Sequence, residues 1–116
     1  MQGVPIDYVE LDSDDLAASR SFFAAAFGWR FTDYGPDYLG IEDAKLDGGI
    51  SRAEGARKLP LVILKAADLD AAEAAVRKAG GEITRQQFDF PGGRRFHFRE
   101  PGGNEMAVWS ESEQQT

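Results

Sequence analysis

Cysteine is absent from this 116-residue chain, so no disulfide framework, thiolate metal site or cysteine nucleophile is available to it. Histidine is almost absent. His97 is the single copy, and a triad of two histidines and one carboxylate cannot be assembled from one chain. No apolar run approaches the roughly 18–20 residues that a membrane span needs, and the opening MQGVPID has neither part of a signal peptide. Basic residues are outnumbered, 13 Lys and Arg against 20 Asp and Glu, for a net charge of −7. Nucleic acid requires a basic stripe, and the Arg94-Arg95 pair is too small to be one. The expectation is a cytoplasmic protein with no membrane or nucleic-acid partner. Its abundance of Ala, Gly, Asp and Arg suggests a bacterial source.

What is present is an ordinary globular composition, 42% hydrophobic and 28% charged, in a length that suits a single domain, 1–116. Two helices can be read. The first follows Ser13-Asp14-Asp15, whose oxygens suit an N-cap, and Gly28 ends it. Its inward stripe is Leu16, Ser19, Phe23 and Ala26, with Phe27 beside it. The second starts at Asp68, carries the stripe Leu69, Ala72, Val76 and Ala79, and is ended by Gly80-Gly81 after Arg77 and Lys78.

The two stripes superimpose. Asp15 and Asp68 lie 53 residues apart, and the same shift carries each stripe residue onto its counterpart and Gly28 onto Gly81. A register held through a cap, a stripe and a stop glycine reads as an internal repeat, 5–53 and 59–110. Extended runs at Ile6 to Leu11 and Leu61 to Lys65 precede the helices. Three strands are expected after each: Arg30 to Tyr34, Tyr38 to Glu42 and Gly49 to Arg52 in the first half, Glu82 to Phe88, Arg94 to Arg99 and Glu105 to Ser110 in the second. Gly35-Pro36-Asp37 and Pro91-Gly92-Gly93 read as hairpin turns, as does the Gly48-Gly49 pair. Glu54 to Lys58 reads as a linker and 111–116 as a polar tail. The plan is α+β: two βαβββ modules in tandem, forming a curved mixed sheet with a helix backing each half.

The segment FHFREPGGNEMAVW sharpens this. Phe96 and Phe98 alternate with His97 and Arg99. Glu100-Pro101-Gly102-Gly103-Asn104 supplies a turn, and Met106 and Val108 then alternate with Glu105, Ala107 and Trp109. The segment resembles the closing hairpin of the vicinal oxygen chelate superfamily, the glyoxalase/bleomycin-resistance/dioxygenase proteins, with Glu100 in place of the usual Asp. YVELDSDDLAASRSFFAAAFGW and LVILKAADLDAAEAAVRKAGGEI look like that family's two strand-helix openings. Together the resemblance covers residues 5 to 110.

In metal-dependent members, the resemblance implies, four ligands come from the first and last strand of each half. Carried over, the first-strand positions fall on Tyr8 and Leu61 and the last on Ala107. The remaining one falls in the strand after Gly48-Gly49, where Ile50 and Ser51 offer no donor. The resemblance therefore implies the scaffold with no metal ligands and no cofactor. An all-oxygen magnesium or calcium site, or one completed across a dimer by two copies of His97, stays open.

If Tyr8 and Ala107 face a cleft, alternation adds Glu10, Glu105 and Trp109, and Leu61 brings Ile63 and Lys65. Arg95 and His97 join if the hairpin register holds, since a slip of one residue would turn the set over. The candidate ligand-binding residues are Tyr8, Glu10, Ile63, Lys65, Arg95, His97, Glu105 and Trp109. Trp29, Trp109, Tyr8, Tyr34 and Tyr38 read as a clamp for a flat or cationic ligand, although Trp29, which follows the first helix, better suits a staple between helix and sheet. His97 and Glu10 are the candidate catalytic pair, set against an ordinary polar role on an open face. The expectation is a metal-free small-molecule binding protein, a homodimer in the style of the bleomycin-resistance proteins, for a cationic or amphipathic ligand. The alternative is a glyoxalase- or dioxygenase-type enzyme with a displaced or partner-completed metal.

Overall fold

The computed structural model describes residues 3–54 and 59–112. The expected linker and tail therefore lie mostly outside the described residues. The protein is α+β, with the elements β1 (Ile6–Ser13), α1 (Leu16–Phe27), β2 (Arg30–Asp33), β3 (Tyr38–Glu42), β4 (Gly48–Arg52), β5 (Leu61–Lys65), α2 (Leu69–Lys78), β6 (Glu82–Phe90), β7 (Gly93–Arg99) and β8 (Glu105–Glu111). These divide into a first unit, Asp7–Leu61, and a second running from Val62 and including the residues up to Ile6.

Within the first unit the strand order is β2-β3-β4-β1, and within the second β5-β8-β7-β6. In both, the strand before the helix pairs parallel with the last strand, and the other pairs are antiparallel. The parallel register is Glu10 opposite Gly49 in the first unit and Ile63 opposite Ala107 in the second.

Both helices begin where the aspartates dictate. Asp15 and Asp68 accept from the amides of Ala18 and Ala71, each at 3.0 Å, satisfying first-turn donors that the helix cannot. Gly28 ends α1 in the left-handed conformation at φ 73°, which glycine adopts without steric cost. Ser13 is not the cap; it closes β1 and bonds Ser19 Oγ at 2.7 Å.

The core of the second unit is Leu69, Ala72, Phe96, Phe98 and Val108, with Leu64, Val76, Ile83 and Met106 packed on it. Phe96 opposes Val108 and Phe98 opposes Met106, so the hairpin sends its apolar side to α2. The α2 stripe is observed except for Ala79, which caps the helix and is exposed.

The α1 stripe is corrected at Ala26, which is exposed, and in its depth. No residue of α1 is buried, although Leu16, Ser19 and Phe23 are its least exposed positions. Phe22 and Phe27 stand 58% and 63% exposed. The helix is apolar on almost every side, so its periodicity does not single out one burying face. The glycine pairs are a second correction. Gly48 and Gly49 lie inside β4, and Gly93 begins β7. A side chain at Gly93 would run into the Ser110 carbonyl, and one at Gly48 would come within 2.8 Å of the Val9 carbonyl oxygen. These glycines allow close strand approach; Gly92, at φ 106°, makes the turn.

Candidate functional site

In the second unit the face of the sheet turned away from α2 carries three rows of side chains. Ile63, Ala107, His97 and Arg85 form one row, and Lys65, Trp109, Arg95 and Phe88 the next. Glu105, Arg99 and Glu82 form the third, closed by an Arg99–Glu82 ion pair at 3.1 Å. The hairpin register thus places Ile63, Lys65, Arg95, His97, Glu105 and Trp109 on one face, as alternation expects.

Arg85, Phe88 and Phe90 were not anticipated there. Two irregularities in β6, between Ile83 and Arg85 and between Arg85 and Phe88, shift its register against β7. Strict alternation from the core residue Ile83 would send Arg85 toward α2. The first bulge turns it over, and its guanidinium lies 3.7 Å from the Phe88 ring centre. Arg95 sits over Phe88 and Phe90, and Lys65 over Trp109 at 5.0 Å. Phe90 and Trp109 meet at 5.9 Å.

His97 is 5% exposed, not the open polar residue of the sequence reading. Phe88 lies 5.9 Å from its ring, and Glu105 Oε2 lies 3.7 Å from Nδ1, beyond hydrogen-bond length. The same carboxylate accepts from Thr84 Oγ1 at 3.1 Å. A shallow groove of about 540 Å³ between α2 and β6 is a separate feature. Its Gln87 amide donates to Asp70 and Glu73 at 2.9 Å each, and Arg77 donates to Glu73. Its polar groups largely satisfy one another.

In the first unit Tyr8 and Glu10 meet a residue whose part was not foreseen. Tyr38 Oη donates to Glu10 Oε2 at 3.0 Å and lies 2.7 Å from Tyr8 Oη. Glu10 is 7% exposed. Burial pushes both phenols above their ordinary value of 10.0, and the Glu10 carboxylate adds to the shift at each. Gly49 makes the arrangement possible. A Cβ there would overlap the Tyr38 hydroxyl and come within 2.5 Å of Tyr8 Oη. Trp29 stacks on Phe23 at 4.8 Å and lies 6.1 Å from Phe27, within the aromatic cluster of α1.

The parallel pairs also correct the placement of the fourth inherited position. Ala107 stands opposite Ile63, and the residue with that relation to β1 is Gly49, opposite Glu10, rather than Ile50 or Ser51. Tyr8, Leu61, Gly49 and Ala107 contribute one phenol and no imidazole or carboxylate, and the phenol is bonded to Tyr38. This set does not fit a transition metal. Among the described residues no three His, Asp or Glu side chains cluster as metal ligands would.

Residues 5–108 match the Glyoxalase/Bleomycin resistance protein/Dioxygenase superfamily. An anthracycline biosynthesis protein, DnrV of Streptomyces peucetius, is 29% identical over 124 residues, 88% of this chain and 45% of its own length. The chain therefore spans less than half of that relative. Among solved structures, the Mn(II)-bound glyoxalase of Novosphingobium aromaticivorans is similar at TM-score 0.68 and 23% identity, over 97% of this chain and 42% of that one. Methylmalonyl-CoA epimerase of Mycobacterium tuberculosis gives 0.71 and 13%, over 94% and 89%. At these identities the structural likeness establishes the fold alone.

Proposed function

We propose that this chain, which belongs to the Glyoxalase/Bleomycin resistance protein/Dioxygenase superfamily, binds a small amphipathic or cationic molecule without a metal. The observation that carries the reading is the residue set at the inherited ligand positions: Tyr8, Leu61, Gly49 and Ala107. Ala107 and Gly49 are buried and bring no donor atom to the sheet. Aromatic side chains stand on the same faces: Tyr8 and Tyr38 against Gly49 in the first unit, Phe88, Phe90 and Trp109 along from Ala107 in the second. Rings on a stiff sheet give contact area at low conformational cost, which suits retention of a flat ligand. The tandem repeat and the homodimer belong to the same reading, and sedimentation equilibrium tests the latter.

The reading is tested by elemental analysis of protein purified without added metal, together with a thermal-shift panel of metals and of cationic, neutral and anionic aromatic compounds. The expected result is stabilisation by an aromatic compound with no stoichiometric transition metal. Stoichiometric metal that raises the melting temperature overturns it.

A second reading has one observation in its favour. His97 and the Glu105 carboxylate are adjacent on one sheet face, which suits a metal-independent lyase or isomerase in which the imidazole moves a proton. Loss of a measured turnover in His97→Ala, with folding retained, would promote it.

A further inference from the structure

We infer that Tyr8 Oη is a ligand contact that accepts hydrogen bonds and does not donate them, so that the site selects molecules presenting an O–H or N–H group. The inference rests on the small-molecule reading above and names the ligand chemistry within it.

The argument is a count of protons. A phenol has one hydrogen to donate and lone pairs with which to accept. Tyr38 spends its hydrogen on Glu10, at 3.0 Å. Only Tyr8 can then supply the proton in the 2.7 Å contact between the two hydroxyls. The order along the chain is Tyr8 to Tyr38 to Glu10, and the buried carboxylate at its end fixes the direction. Tyr8 Oη is left with lone pairs alone. Both phenols keep their protons over the neutral range, because burial and the nearby carboxylate disfavour the phenolates.

The floor beneath the pair is glycine. The nearest atoms to a Cβ built at Gly49 are the two hydroxyls and the end of the Tyr38 ring. No side chain at that position competes with a ligand for Tyr8, which is half-buried. A ligand carbonyl or carboxylate brought to Tyr8 Oη would set acceptor against acceptor and lose a hydrogen bond it had in water, the unfavourable side of the exchange. A hydroxyl or ammonium would extend the chain by one link.

The test uses a neutral pair of one shape, 2-naphthol and 2-methoxynaphthalene, which differ in the donor. Three tyrosines make ¹³C-tyrosine NMR simple to assign, and titration gives both the affinity and the ring that responds. In the native chain 2-naphthol is expected to bind about tenfold more tightly, the worth of one net hydrogen bond, with Tyr8 the most shifted signal. Tyr8→Phe removes the difference. Tyr38→Phe narrows it from the other side, because Tyr8 regains a proton to donate and 2-methoxynaphthalene binding improves. Phe22→Leu, exposed on α1 and outside the hydrogen-bond chain, leaves the difference unchanged.

Equal binding of the two probes, or tighter binding of the ether, overturns the inference while leaving the small-molecule reading in place. Failure of every naphthalene probe to bind, 2-naphthylmethylammonium and 2-naphthoate included, overturns both. A ligand-free measurement stands beside these: the Tyr8 hydroxyl proton should exchange slowly with water and show a nuclear Overhauser contact to the Tyr38 ring. Rapid exchange of that proton overturns the assigned direction even if the variants fail to fold.

Discussion

Replacing Gly49 by alanine should destabilise the protein although the backbone there accepts any residue, since Gly49 lies outside the left-handed region. The added methyl meets the Tyr38 hydroxyl and ring end and the Tyr8 hydroxyl. The phenols must move, and both the 2.7 Å and 3.0 Å contacts are lost or lengthened. A neutral hydrogen bond contributes about 1 kcal/mol and one to a charged group about 1.5–3 kcal/mol. Glu10 keeps other interactions, which holds the second figure to its lower end. Against a loss of about 2.5–3 kcal/mol, alanine restricts the unfolded chain and returns about 0.4–1 kcal/mol. The net cost is about 2 kcal/mol. Urea unfolding followed by fluorescence of Trp29 and Trp109 measures it, as a lower midpoint at unchanged slope. In a Tyr38→Leu background the cost of Gly49→Ala should fall, because the ring that the methyl strikes is gone. A Gly49→Ala variant as stable as the parent would refute the claim that the two phenols occupy the space left by the missing side chain.

Alkaline titration followed at the phenolate absorbance should show Tyr8 and Tyr38 ionising only above the ordinary phenol value of 10.0, or with unfolding. Their folded values are raised, so their contribution to stability is complete below pH 10.0 and is lost as pH rises above it. Glu100 behaves in the opposite sense. Backbone amides of Gly102 and Asn104, then the Asn104 side chain, hold its carboxyl below the ordinary 4.5, so its contribution is present above that value and lost as pH falls through the lowered one. Glu100→Gln should therefore flatten the acid limb of the stability curve, measured by urea midpoints at successive pH. Phe96→Ala, at a fully buried site on β7 packed with Val108 of β8 and Leu69 and Ala72 of α2, should cost about 3–5 kcal/mol by the same unfolding assay.

Much of the fold was legible because its signals are local. Asp15, Asp68 and Gly28 act within one helical turn, and alternation in FHFREPGGNEMAVW needs only neighbours on one strand. Even the change from Asp to Glu at position 100 keeps its local logic, since the carboxylate accepts from the Gly102 amide at 2.6 Å and holds the turn. What escaped depends on residues far apart in sequence. Gly48 and Gly49 look like turn residues until β1 is laid against β4 and the two phenols arrive from β1 and β3. Tyr38 lies 28 residues from the carboxylate it serves. Arg85 reaches the Trp109 face only because β6 gains a residue against β7, and a bulge leaves no mark in the hydrophobic pattern. In α1 the periodicity picks out the least exposed positions, Leu16, Ser19 and Phe23, but an almost wholly apolar helix does not show how deeply that side is covered, and Phe22 and Phe27 stand exposed.

The departures from the inherited ligand pattern are coupled, which bears on whether metal chemistry could be restored. A carboxylate introduced at Ala107 would enter a fully buried position flanked by Ile63 and His97, with an uncompensated charge to accommodate. One introduced at Gly49 would first have to expel both phenols. Changing Tyr8 to histidine removes the donor that completes the Tyr38 chain, while Glu10 stays buried beneath it. Leu61, at 1% exposure, would have to give up core packing to become a ligand. Each single reversion thus costs stability before any metal can return it, and no one of them assembles three donors. The side chains around these positions form other arrangements on the sheet: phenols ordered on a carboxylate in one unit, rings and cations interleaved in the other.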